Sequence, residues 1–147
     1  MKALVVFESA SIPTKMIAAM VSKGMEDFGQ IERSDVASAP ESIPNDLNLL
    51  IVGTAGGDGQ KTLMKWLDAV RVPLGCSGAA FDTRVKKPLL GDTASRAIEK
   101  RLSQIGLKVA APAEGFMVDA GTGALAPGES VRAVRWGATV GAPFKNR

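Results

Sequence analysis

The chain has 147 residues, of which 46% are hydrophobic and 22% charged, and its formal net charge is +3. This is the composition of one folded domain, 1–147, long enough for a proper core. The basic residues form no concentrated stripe and tyrosine is absent, which excludes the usual basis of nucleic-acid binding. Histidine is absent as well, so Ser–His triads and histidine-ligated metal sites are excluded.

No apolar stretch approaches the roughly 20 residues of a membrane span, and no signal-peptide pattern opens the chain. Cys76 is the single cysteine. It forbids an internal disulfide and reads as a small, inert residue near the core. The expectation is therefore a cytoplasmic protein without membrane or nucleic-acid partners.

In chain order, residues 2–8 read as a buried strand. The hydroxyl-rich segment Ser9-Ala10-Ser11-Ile12-Pro13-Thr14 then leads into a helix over 14–28. Met16, Ile17, Met20, Val21, Met25 and Phe28 are expected on its core-facing side. A strand handing over to a helix through such a loop is the usual construction of a phosphate cradle. The helix end supplies N–H groups and a positive dipole.

Residues 30–35 read as a short second strand, followed by a linker with Pro40 and Pro44. Residues 48–53 form the third strand. Thr54, Ala55, Gly56, Gly57, Asp58 and Gly59 make a glycine-rich loop ahead of a helix over about 61–71, with Leu63, Leu67 and Val70 inward. Residues 78–81 are a fourth strand ending at Asp82-Thr83-Arg84.

A helix over about 92–105 follows, capped by Asp92 or Thr93, with Ala94, Ile98, Leu102 and Ile105 at helical spacing. Residues 107–111 and 116–118 read as one strand interrupted around Pro112 to Gly115. A final helix over about 128–139 carries Val131, Val134 and Trp136. Trp66 and Trp136 read as packing residues.

Strands alternating with helices imply an α/β parallel sheet covered on both faces, with ligands expected at the carboxyl edge of the strands. The loops to watch are then 9–14, 54–60 and 82–88. Gly56, Gly57 and Gly59 leave backbone exposed on that rim. Arg84, Lys86 and Lys87 stand there too, as candidates for an anionic small molecule.

The chain resembles the flavodoxins, in particular short flavodoxin-like proteins of actinobacterial type. The likeness is carried by Met1-Lys2-Ala3-Leu4-Val5-Val6-Phe7-Glu8-Ser9, by Ala79 to Val85 with Lys87-Pro88, by Gly106-Leu107 to Phe116-Met117-Val118-Asp119, and by Ala133 to Gly137. It implies a three-layer fold with a five-stranded parallel sheet of order 2-1-3-4-5. It also implies FMN at the carboxyl edge, electron transfer, and a redox protein partner.

The family's phosphate loop, Ser/Thr-x-Ser/Thr-Gly-x-Thr, falls on Ser9, Ser11 and Thr14. Its glycine position carries Ile12, and Pro13 replaces a residue that normally donates its N–H. The resemblance further implies that the backbone of Thr54, Ala55, Gly56 and Gly57, and of Asp82, Thr83 and Arg84, lines the flavin ring. The loops after the third and fourth strands lack the family's stacking aromatics. Isoleucine before proline is stiff and extended, and proline has no N–H. Three readings stay open: an FMN-binding electron carrier, a cofactor-free relative acting as a binding or regulatory module, and a domain binding another anionic small molecule through Arg84, Lys86 and Lys87.

Overall fold

The computed structural model describes residues 1–8, 10–85 and 92–145. Expectations placed on Ser9, Lys86, Lys87 and Pro88 lie outside the described residues. The strands are β1 (Lys2–Phe7), β2 (Gln30–Asp35), β3 (Leu49–Thr54), β4 (Ser77–Arg84), β5 (Lys108–Val109) and β6 (Glu114–Met117). The helices are α1 (Ile12–Met25), α2 (Gly57–Ala69), α3 (Ala94–Gln104) and α4 (Glu129–Gly141).

All strand pairings are parallel, in the order β2-β1-β3-β4-β5, with β6 also paired to β4. This is the expected sheet, with its fifth position in two pieces. The interruption falls at 110–113, two residues earlier than the sequence suggests. Pro112 has no N–H to give a ladder. Around it, Ala110 N–H still reaches the Gly78 carbonyl at 2.8 Å, and Ala113 N–H donates to Glu99 Oε1 at 2.8 Å.

The pleat divides the core into two layers. Val5, Phe7, Ile51, Ala79, Phe81 and Phe116 face α1 and α4, meeting Ile17, Val21, Met25, Trp136 and Val140. Leu4, Val6, Leu50, Val52 and Ala80 face α2 and α3, meeting Leu63, Trp66, Leu67, Ile98 and Leu102. Each of the larger apolar side chains among these contributes on the order of 1.5–3 kcal/mol by leaving water. Phe81, Phe116 and Trp136 contact one another edge to face, with centroids 6.1–6.2 Å apart. Both tryptophans are thus packing residues, and Trp66 Nε1–H donates to the Pro40 carbonyl at 3.2 Å.

Helices α1 and α4 pack closely because glycines face backbone. A Cβ at Gly137 would stand 3.0 Å from the Val21 carbonyl carbon, and one at Gly24 would stand 3.0 Å from Ala138 N.

Several expectations need correction. α1 gives way after Met25 to a short 3₁₀ turn, Glu26–Phe28. Its buried face is Thr14, Ile17, Ala18, Val21, Ser22 and Met25, while Met16 is exposed. Ile17, Val21 and Met25 alternate on it with the smaller Thr14, Ala18 and Ser22. Val131 is likewise exposed on α4. α2 starts four residues earlier than expected: Gly56 (φ 91°) and Gly57 (φ 61°) turn the chain from β3 directly into the helix, a conformation glycine alone adopts readily.

Candidate functional site

The carboxyl edge of β1, β3 and β4 gathers most of the expected site residues, but their side chains bond chiefly to one another. Ser11 is the N-cap of α1 and its Oγ accepts the Thr14 N–H at 3.4 Å. Pro13, at the second helical position, is tolerated where an N–H has no partner within the helix. Ile12 does not pack over it: its side chain points to solvent, 73% exposed. Thr14 is completely buried, and its hydroxyl lies 2.7 Å from that of Thr83 on β4, also buried. This bond joins the first turn of α1 to the carboxyl end of β4.

After β3, Thr54 Oγ1 accepts the Gly56 N–H at 3.0 Å. Ala55 and Gly56 are the whole connection to α2, and neither is aromatic. On β4, Asp82 and Thr83 point to opposite faces. Asp82 is 2% exposed and forms a two-pronged pair with Arg84, Nε to Oδ1 at 2.6 Å and Nη2 to Oδ2 at 2.8 Å. Asp82 Oδ2 also accepts the Ser95 N–H at 2.9 Å, in the first turn of α3, where the helix dipole favours a carboxylate.

Thr93 caps α3, accepting the Arg96 N–H at 3.3 Å. The expected choice between Asp92 and Thr93 therefore falls on Thr93. Arg84 lies across β6, so that a Cβ at Gly115 would stand 2.5 Å from its Nε. Arg84 is thus anchored by Asp82 rather than offered to solvent. A hollow of about 160 Å³ opens beside it, lined by Ala55, Asp82, Thr83, Arg84 and Asp92 to Ala94.

Sequence reasoning missed two groups. Glu8 Oε1 accepts the Ala10 N–H at 2.7 Å, inside the loop expected to hold phosphate. An acid on the last residue before a hydroxyl-rich loop was the available signal. Arg132 is the second. It binds Glu129 through Nε and Nη2 (2.9 and 2.6 Å), Glu114 through Nη1 (2.7 Å) and the Gly115 carbonyl (2.5 Å), and sits 4.5 Å over the Phe116 ring. Glu129 Oε2 also accepts the Met117 N–H at 2.6 Å. The hydrogen bond from Arg132 holds the Glu129 carboxyl below its usual range, and Glu129 raises the Arg132 guanidinium in turn. The Glu129–Arg132 (i, i+3) spacing was visible, but not that β6 would supply the remaining partners.

Among the described residues, no group of three or more acidic or cysteine side chains is arranged to hold a metal. Burial pushes the Cys76 thiol up to about 11, which suits an inert packing residue. No helix among them is long and apolar enough to cross a membrane.

No protein-family model matches the sequence, and no curated protein matches it either. Solved structures do resemble the fold. Oxidised flavodoxin 1 from Bacillus cereus superposes with a TM-score of 0.78 at 20% identity, over 95% of this chain and 97% of that one. A flavodoxin from the domain Archaea gives 0.75 at 19% identity, over 99% and 100% of the two chains. A short-chain flavodoxin associated with a non-canonical PDU bacterial microcompartment gives 0.77 at 10%, over 98% and 99%. At these identities the likeness is one of architecture: the chain has the flavodoxin-like fold.

Proposed function

We propose that this chain is a flavodoxin-fold domain that works without flavin, as a binding or regulatory module for a protein partner. The observation that carries this reading is the buried Thr14–Thr83 hydroxyl pair. A threonine that grips a phosphate must present its hydroxyl to the loop, whereas Thr14 turns it into the core. Further features agree. Ser11 caps its own helix, Pro13 has no N–H, the Ala10 N–H is taken by Glu8, and no aromatic lies in the link from β3 to α2. Losing one charge-assisted bond to a phosphate weakens binding by about tenfold to a hundredfold. These residues therefore fit FMN poorly.

The second reading is an FMN-binding electron carrier, favoured by the likeness to an oxidised flavodoxin over nearly the whole of both chains. FMN would supply the redox chemistry, with Ser9, Ser11 and Thr14 as the phosphate residues. One titration separates the two. FMN fluorescence is followed as purified protein is added at concentrations up to millimolar. No saturable change supports the cofactor-free module. Saturation with a micromolar Kd overturns it in favour of the electron carrier.

A further inference from the structure

We propose that the outer edge of β2 is a docking site for an extended segment of a partner protein, which pairs with it as an added strand. β2 stands at one border of the sheet, with β1 as its neighbour. The Gln30 N–H donates to the Met1 carbonyl at 2.9 Å. In a parallel ladder this turns the main-chain groups of Gln30, Glu32 and Ser34 toward β1, and those of Ile31 and Arg33 outward. Outward N–H and C=O groups are what an incoming strand bonds.

Space for the side chains of such a strand exists on both faces of β2. On the α1 face a groove of about 530 Å³ is lined by Met20, Lys23, Glu26, Ile31 and Arg33, among others. On the opposite face a second groove, of about 520 Å³, is lined by Leu4, Glu32, Arg33, Ser34, Pro40 and Pro44, among others. The second groove is open because the chain between β2 and β3 makes only the 3₁₀ turn Val36–Ser38 and a proline-bearing link, so no helix covers that face. Arg33 borders both grooves. Successive side chains of an added strand point to alternate faces and would enter the two grooves in turn.

The charges select the strand. Arg33 lies beside Val5 on the α1 face, and Glu32 beside Leu4 on the other. Both are exposed, and neither forms an ion pair with a described residue. The matching segment presents an acid opposite Arg33, a basic residue opposite Glu32 and an apolar residue opposite Ile31. A second copy of this chain does not match. An antiparallel pairing of β2 with itself in which Ile31 and Arg33 both oppose strand residues centres on Glu32 or on Arg33, and so sets like charges opposite each other. The inference deepens the reading of a module for a protein partner and rests on it.

The probe is a capped peptide with the core Glu-Lys-Val between threonines, titrated into the full chain while backbone amide resonances are followed. In antiparallel register its Glu, Lys and Val meet Arg33, Glu32 and Ile31. The Ile31 and Arg33 amide protons should move downfield and saturate together. A peptide with the core Lys-Glu-Val should bind about tenfold more weakly, because both charge pairs turn repulsive. The double variant Glu32→Lys, Arg33→Glu should reverse that preference, and N-methylation of the peptide's Glu and Val should abolish binding. Unmoved Ile31 and Arg33 amides at millimolar peptide overturn the proposal, as does equal binding of the two peptides. Movement of the same amides on concentrating the chain alone makes the occupant a second copy, and overturns it too. FMN uptake overturns the reading of the previous subsection, whereas the peptide titration decides this one.

Discussion

Replacing Thr14 by valine conserves the shape of the side chain and removes one hydroxyl of the buried pair. The Thr83 hydroxyl, 2.7 Å away and itself buried, then loses its partner. An unsatisfied buried hydroxyl costs about 1–3 kcal/mol, whereas replacing both members by apolar groups of the same shape is close to neutral. Thr14→Val and Thr83→Val should therefore each destabilise the fold by about 1–3 kcal/mol. The double variant should be destabilised by much less than the sum of the two, with a coupling of about 2 kcal/mol or more. Urea unfolding gives the free energies. In a thermal melt the single variants should fall by about 2–4 °C per kcal/mol for a chain of this size. Repeating the melts with millimolar FMN should leave the differences unchanged, because the hydroxyl faces the core. Strictly additive single effects, or a Thr14→Val cost that appears only with FMN present, would refute the reasoning.

Gly137→Ala gains helix propensity of about 1 kcal/mol, yet its Cβ meets the Val21 backbone. The net outcome should be a loss of about 1–3 kcal/mol in chemical denaturation, and a stabilised variant would contradict the packing. Asp82→Ala strands the Arg84 guanidinium, which is only 14% exposed. Breaking such a pair costs about 3–5 kcal/mol, and the same denaturation curves would reveal a neutral result. The Glu129 carboxyl is held below its unfolded value, chiefly by Arg132. Its contribution is therefore present above the unfolded carboxylate pKa of about 4.3 and lost as pH falls through the folded value. Between pH 5 and roughly pH 3, the wild type should lose more stability than Glu129→Gln; parallel pH profiles of the two melts would count against the Arg132 cluster.

The parallel sheet covered on both faces and the split last strand were legible in the sequence, because apolar runs and glycine stops are local signals; the strand order came only from the resemblance to flavodoxins. The face of α1 was not legible. Met16 looks like core by spacing, but the buried face runs through Ile17, Val21 and Met25 and leaves Met16 exposed, and spacing says nothing of which side the next helix will cover. The start of α2 was hidden for a related reason. Gly56 and Gly57 read as a loop, and it is their positive φ angles that let the helix begin there at once. At the candidate site, the substitutions Ile12 and Pro13 were plain. The pairings Thr14 to Thr83 and Asp82 to Ser95 span 69 and 13 residues, and only the folded chain brings them together.

The gap between β5 and β6 has a consequence for how this molecule behaves in crowded surroundings. It breaks one outer border of the sheet into pieces of two and four residues. Fibril growth by strand addition calls for a long, flat row of unpaired amides, and neither piece offers one. The opposite border, β2, carries Glu32, Arg33 and Asp35, charges that resist stacking by a second apolar strand. Both flanks of the domain are thereby guarded against edge-to-edge aggregation.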